Sequence, residues 1–258
     1  MLIDSAGVQI ATTDHGGDGV PVLLTHGFGG DQTNLGPLVR RMADSFRVVT
    51  FDMRNHGASG DGEWTWDNVV ADFAAVRDAH DMVRPVVAGH SLGGMVAEMY
   101  AAVHPDTRAV INIDGHGGGK PEQYIGLEAA DVAERKQRLN DWQVAMTPAE
   151  PAPRPSLDEV LALTPLFDAL DMFATHSAVP CPLLIFNAHG DDPIGSLPDM
   201  EWVGELMRAY RSGLGADLDA LATTREDIEI AHVEATHYLI FSHADEVVER
   251  IGEFTRRH

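Results

Sequence analysis

The stretch Arg84-Pro-Val-Val-Ala88, followed by Gly89-His-Ser-Leu-Gly-Gly94, decides how this chain is read. Its first part is a short apolar run, which predicts a buried strand. Its second part opens Leu92–His104, a segment of helical spacing. A serine at a tight strand-to-helix turn is forced into a strained backbone conformation that points its hydroxyl outward. The residues two before and two after it must be small, because the arms of the turn nearly touch there. Gly89 and Gly93 meet that demand, and Gly94 lets the helix pack close to the sheet. The helix then aims its first N–H groups and its dipole at negative charge forming near Ser91. A chance Gly-x-Ser-x-Gly in a loop would lack both the strand and the helix.

Working outward, short apolar runs alternate with longer segments of helical period. Val20–Thr25, Phe46–Phe51, Ala109–Ile113, Cys181–Phe186 and Asp227–Val233 read as further buried strands. Asn34–Ala43, Asp67–Asp81, Asp199–Arg211 and Ala244–Arg256 suit helices. Regular strand–helix–strand succession implies parallel strands with helices on both faces. Leu2–Ile3 and Val8–Thr12 suit an antiparallel hairpin ahead of them. The pattern breaks between Gly115 and Ala178, where Gly117-Gly-Gly119 is followed by Pro148, Pro151, Pro153 and Pro155. Helical pieces around Pro121–Met146 and Ser156–Phe173 flank these prolines, each too short for a core of its own. The expected organisation is an α/β core over 1–114 and 178–258, with 115–177 inserted as a helical lid.

Composition narrows the function. A chain of 258 residues, 44% hydrophobic and 22% charged, is an ordinary globular protein. Its 18 Lys+Arg against 40 Asp+Glu give a net charge of −22, the wrong sign for nucleic acid or an anionic membrane surface. One cysteine, Cys181, can form neither an internal disulfide nor a cysteine-based zinc site, and it reads as a packing residue. The N-terminus lacks a basic start and apolar signal core, and no apolar run approaches the roughly 20 residues that cross a bilayer. The expectation is a cytoplasmic protein.

Two more regions carry chemistry. His26-Gly-Phe-Gly-Gly30 follows the strand Val20–Thr25, and a Gly-rich turn there can offer the Phe28 N–H beside the Leu92 N–H to an oxyanion. A phosphate cradle is disfavoured, because neither Gly-Lys-Ser/Thr nor Gly-x-Gly-x-x-Gly follows. His26 reads as a loop-organising hydrogen bonder. Of the 13 histidines, His237 stands out between the last strand and the last helix, at the sheet edge where Ser91 lies. His232 and His243 are weaker candidates for a base. No His-Glu-x-x-His occurs, and His189-Gly-Asp191-Asp192 lacks a second cluster, so neither metal nor cofactor is expected.

Together with Asp52-Met-Arg-Asn-His-Gly-Ala-Ser59, these motifs resemble the α/β-hydrolase superfamily. The Arg-Asn-His-Gly form is similar to that of small bacterial esterases and their mitochondrial relatives. The resemblance runs from Val20 to Phe254 and implies a mostly parallel eight-stranded sheet, a lid after the sixth strand, and chain order Ser, acid, His. It makes Ser91 the nucleophile, His237 the base, and Phe28 and Leu92 the oxyanion donors, and it leaves Asp52, Arg54 and His56 structural. Thr236 stands where the family often has Gly, Ala244 where Pro is frequent, and 193–227 is longer than the usual single helix. For the acid, the family's Gly-x-x-Asp pattern with Pro next selects Asp192, before Pro193. Anchoring on Gly190 leaves Asp191 second, and Asp114, after the preceding strand, is third.

The expected function is hydrolysis of an uncharged carboxylic ester or lactone through an acyl-enzyme. An apolar acyl pocket is expected from Tyr124, Leu127, Trp142, Met146, Leu166, Phe167 and Met172 of the lid. Thioester hydrolysis, C–C bond hydrolysis and cofactor-free perhydrolysis use the same residues. A non-catalytic receptor on this fold would be betrayed by a missing triad member.

Overall fold

The computed structural model describes residues 1–146 and 154–258, so Pro148, Pro151 and Pro153 lie outside the described residues. Eight strands form one sheet: β1 (Leu2–Ser5), β2 (Val8–Asp14), β3 (Val20–Thr25), β4 (Phe46–Phe51), β5 (Val86–His90), β6 (Ala109–Ile113), β7 (Leu183–Ala188) and β8 (Ile228–Val233). Their spatial order is β1-β2-β4-β3-β5-β6-β7-β8. The expected leading hairpin is the β1–β2 pair, antiparallel with Leu2 opposite Ala11, and β2 also runs antiparallel to β4. Every pairing from β4 through β3 to β8 is parallel.

The continuous apolar runs of the central strands follow from burial on both faces. Successive side chains of a strand point to opposite sides, so each run feeds two cores. Leu23, Val49, Val87, Val110 and Ile185 pack with Val69, Phe73 and Val76 of α2 (Trp66–Ala79) and with Val96 and Tyr100 of α3 (Leu92–Val103). Leu24, Val48, Ala88, Ile111 and Phe186 pack on the other side with Leu38 and Met42 of α1 (Gly36–Met42). The C-terminal helix shares that second side through Val247, Ile251 and Phe254.

Between β6 and β7 stand a short 3-10 turn (Pro121–Gln123), α4 (Ala129–Met146), α5 (Leu157–Asp168) and α6 (Met172–Ala178). The single helical piece expected over Ser156–Phe173 is two helices. Ser156 and Glu159 form a capping box at the start of α5, and Asp171 accepts hydrogen bonds from Phe173 N and Ala174 N to start α6. Helix α7 (Glu201–Ala222) runs eleven residues past its expected end at Arg211, because Leu214, Leu218 and Leu221 continue its buried face. A one-turn α8 (Leu239–Ser242) and α9 (Ala244–Arg257) complete the chain. Cys181 is buried and unpaired, and burial pushes its thiol up to about 11. Among the described residues no helix is long and apolar enough to cross a membrane.

Several strands run further than the sequence indicates, and two of these extensions, in β5 and β7, matter for the site. β5 continues to His90, so Ser91 directly follows it. β7 continues to Ala188, because Asn187 and Ala188 pair with His232 and Val233 of β8.

Candidate active site

The turn at Ser91 has the geometry its glycines predict. Ser91 adopts φ 54° and ψ −121°, a region L-residues rarely visit, and its N–H donates to Ile113 O at 2.8 Å. A Cβ on Gly89 would stand 2.1 Å from the Gly93 carbonyl carbon, and one on Gly93 would stand 2.6 Å from His26 O. The arms of the turn touch at Gly89, and Gly93 abuts the chain at the end of β3, so only glycine fits at either position. Gly94 has the expected packing role, since a Cβ there would meet Asn112 Oδ1 at 2.4 Å.

Ser91 and His237 line the same two cavities, one of about 260 Å³ and one of about 560 Å³. The smaller is walled by Gly27–Gly30 with Ile240 and Phe241. Phe28 borders both cavities and Leu92 the larger. Among the described residues no backbone carbonyl accepts from the Phe28 or Leu92 N–H. His26 organises this loop: its Nδ1–H donates to Gly27 O at 2.8 Å while Nε2 accepts from Met53 N at 3.1 Å. Burial lowers its pKa to about 3, which keeps the ring neutral and supports that tautomer.

The carboxylate facing His237 is not the expected one. His237 Nδ1–H donates to Asp114 Oδ2 at 2.7 Å. The other Asp114 oxygen accepts from Ala188 N at 2.8 Å and from His116 Nε2 at 3.2 Å. Burial pushes the Asp114 carboxyl up, but the hydrogen bonds from His116 and His237 more than reverse this, holding it well below the usual carboxylate range. Asp192 instead accepts from Ile194 N at 2.8 Å, capping the 3-10 turn Pro193–Ser196. Asp191 is a surface residue, paired with Arg208 at 3.2 Å. The cause is the length of β7: past its end, His189 N donates to Val233 O and Gly190 N to Ala235 O. The loop thereby stays zipped to the chain leaving β8, and both aspartates emerge beyond it.

His90, the residue just before Ser91, makes a contact to His237 that sequence reasoning missed. Its Nε2–H donates to His237 O at 2.8 Å, and the two rings lie 4.8 Å apart. Burial lowers the His90 pKa to about 4, so the ring is neutral and carries its one proton toward that carbonyl. The Asp52–Ser59 motif is built into the scaffold. Asp52 accepts from Gln32 N and Ala58 N, and Arg54 makes a bidentate pair with Asp72, both buried. His56 Nδ1–H donates to Arg54 O. His232 turns to Asp219, and His243 to Ser242, so neither competes with His237.

Of the seven lid residues expected to line an acyl pocket, only Phe167 lines the larger cavity among the described residues. Tyr124 and Met172 are buried in packing, and Met146 is 63% exposed. The cavity is also lined by Met207, Tyr210, Arg211 and Leu214 of α7, which were not among the residues expected there. Their spacing of three, one and three residues was the available signal.

Comparison with known proteins agrees with this architecture. A family model described as the alpha/beta hydrolase family matches residues 22–250. The chain is 29% identical over 137 residues to Esterase YbfF of Escherichia coli, covering 50% of this chain and 53% of that protein. It is 31% identical over 126 residues to a putative esterase/lipase of Haemophilus influenzae, covering 46% of this chain and 44% of that protein. The chain thus spans about half the length of these curated relatives. The crystal structure of a bromoperoxidase from Bacillus anthracis superposes with a TM-score of 0.71 at 17% identity, covering 99% of both chains. With the strand order, the serine turn and the matched span all in agreement, the chain belongs to the alpha/beta hydrolase family.

Proposed function

We propose that this protein hydrolyses a carboxylic ester or lactone through an acyl-enzyme on Ser91, with His237 as base and Asp114 as the orienting acid. One observation carries the reading: His237 Nδ1 donates to the buried Asp114 carboxylate at 2.7 Å while His237 and Ser91 border the same cavities. With Nδ1 protonated and held, Nε2 is the nitrogen free to accept the Ser91 proton. Ser91 Oγ attacks the carbonyl carbon, and the Phe28 and Leu92 N–H groups receive the oxyanion. His237 returns the proton to the departing alcohol, then deprotonates the water that cleaves the acyl-enzyme. Asp114 stabilises the imidazolium formed in each half-reaction. The Arg-Asn-His-Gly motif and the esterase relatives favour ester chemistry. Residues 115–177 act as the lid, whose Phe167 meets Phe28 edge-on at 6.0 Å.

A fluorophosphonate tests the reading directly. It should label Ser91 covalently, and Ser91→Ala should lose both labelling and ester turnover. Labelling that survives in the alanine variant would overturn the assignment.

A further inference from the structure

The larger cavity at Ser91 is lined by a buried cation that has no ion pair among the described residues. Two arginines are buried among the described residues, Arg54 at 2% and Arg211 at 9% exposure. Arg54 has the bidentate Asp72 carboxylate, at 2.7 and 2.8 Å. Arg211 has no ion pair and no hydrogen bond among the described residues, and its Nε is sealed from solvent without an acceptor. Supply does not explain this, since the chain has 40 Asp+Glu against 18 Lys+Arg.

Its position is equally specific. Arg211 interrupts the stripe Met207, Tyr210, Leu214 by which α7 lines the cavity it shares with Phe28 and Phe167. That helix is held firmly there. Gly213 lies so close to the chain at Gln123 that a Cβ would stand 2.1 Å from Gln123 O, and Gln123 Nε2 donates to Asp217 Oδ2 at 2.9 Å. Neither carboxylate lining the cavity pairs with Arg211 among the described residues: Asp114 accepts from His237, His116 and Ala188 N, and Asp192 from Ile194 N. A second lining residue, Tyr210, has a buried hydroxyl that also lacks a partner.

A charge in a low-dielectric wall is unfavourable until paired, and a guanidinium matches a carboxylate fork-to-fork. We infer that Arg211 receives a carboxylate of the substrate, with the Tyr210 hydroxyl beside it, in the same cavity in which Ser91 attacks the carbonyl. Arg211 is the only Lys or Arg lining this cavity among the described residues, so it balances one negative charge, as a carboxylate carries, rather than a phosphate dianion. The substrate class is then a half-ester of a dicarboxylic acid, or an acylated hydroxy acid, of a size to fill about 560 Å³. The inference rests on the serine-hydrolase reading above. It revises the expectation of an uncharged substrate: the bond cleaved is neutral, and the molecule is not.

The test compares matched esters in a pH-stat. Monomethyl esters of four- to six-carbon dicarboxylic acids are set against methyl esters of monocarboxylic acids of equal length. Acetate esters of hydroxy acids are set against acetates of the corresponding alkanols, so that either half of the substrate is tried in the larger cavity. In one of the two series the wild-type protein should favour the charged member by about tenfold or more in kcat/KM. Arg211→Gln should bring that ratio to one or below through KM, and Arg211→Lys should keep part of it. A wild-type ratio at or below one in both series, or a preference unchanged in Arg211→Gln, overturns the inference. Calorimetry needs no turnover: Ser91→Ala protein should bind monomethyl glutarate, and Ser91→Ala/Arg211→Gln should bind it at least tenfold more weakly. If fluorophosphonate fails to label Ser91 and no ester is cleaved, the hydrolase reading falls, while calorimetry still decides the carboxylate site. Should Arg211→Gln not fold, the wild-type ratio and Arg211→Lys decide it.

Discussion

Asp114 Oδ2 and His237 Nδ1 meet at 2.7 Å although 123 positions separate them in the chain. The contact joins the end of β6 to the loop after β8, across β7, whose Ala188 N–H holds the other Asp114 oxygen. Asp114 reaches this position with φ at +59°, turning sharply out of the sheet edge. The bond fixes both the tautomer and the orientation of His237.

Exchange of the acid is therefore expected to separate the candidates. Asp114→Asn should lower kcat by about 10⁴ by reversing the tautomer preference of His237. Asp192→Asn should remain within a few-fold of wild type, because Asp192 caps a 3-10 turn instead. Steady-state kinetics with thermal melts as the folding control would check both. A large loss in Asp192→Asn would contradict the assignment.

Backbone strain at Ser91 gives a second test. Ser91 sits at φ 54° and ψ −121°, where a Cβ is unfavourable and glycine is not. Ser91→Gly should abolish turnover yet raise unfolding stability by about 1–3 kcal/mol. Ser91→Ala should abolish turnover without that gain. Urea melts of the two variants side by side would show the difference.

Stability should fall on acidification for reasons centred on the same sheet edge. Burial holds His26 at about 3 and His90 at about 4, against about 6.5 in an unfolded chain. Between those values the unfolded state binds protons that the folded state refuses. The stability is thus present in full above pH 6.5 and lost as pH falls toward 4. At pH 5 each histidine should account for about 2 kcal/mol of the loss relative to pH 7. His90→Gln, which keeps a donor for His237 O, should show a smaller drop by that amount in urea melts at the two pH values.

The buried pair of Arg54 with Asp72 supplies a prediction remote from chemistry. Both side chains are at most 2% exposed, so removing one leaves the other charged and unpaired. Asp72→Ala should cost about 3–5 kcal/mol, whereas a paired apolar replacement such as Arg54→Met/Asp72→Leu should recover much of it. A double-mutant cycle read by urea melts would measure the coupling.

The sequence by itself determined everything here that depends on local spacing. Short continuous apolar runs placed the strands, and the glycines around Ser91 specified a turn that admits no side chain at their positions. The position of His237 between the last strand and the last helix put it at the sheet edge where Ser91 lies, and the two line the same cavities. Local patterns could not decide between Asp192, Asp191 and Asp114, because all three follow strands ending at that edge. Which of them faces His237 turned on how far β7 extends, and pairing of Asn187 and Ala188 with β8 set that length. Helix α7 shows the same division. Its existence was legible, but its full length rests on Leu214, Leu218 and Leu221 finding a core to bury in. Whether Arg211 on that helix would find a carboxylate was a matter of what surrounds it, and surroundings exist only once the chain has folded.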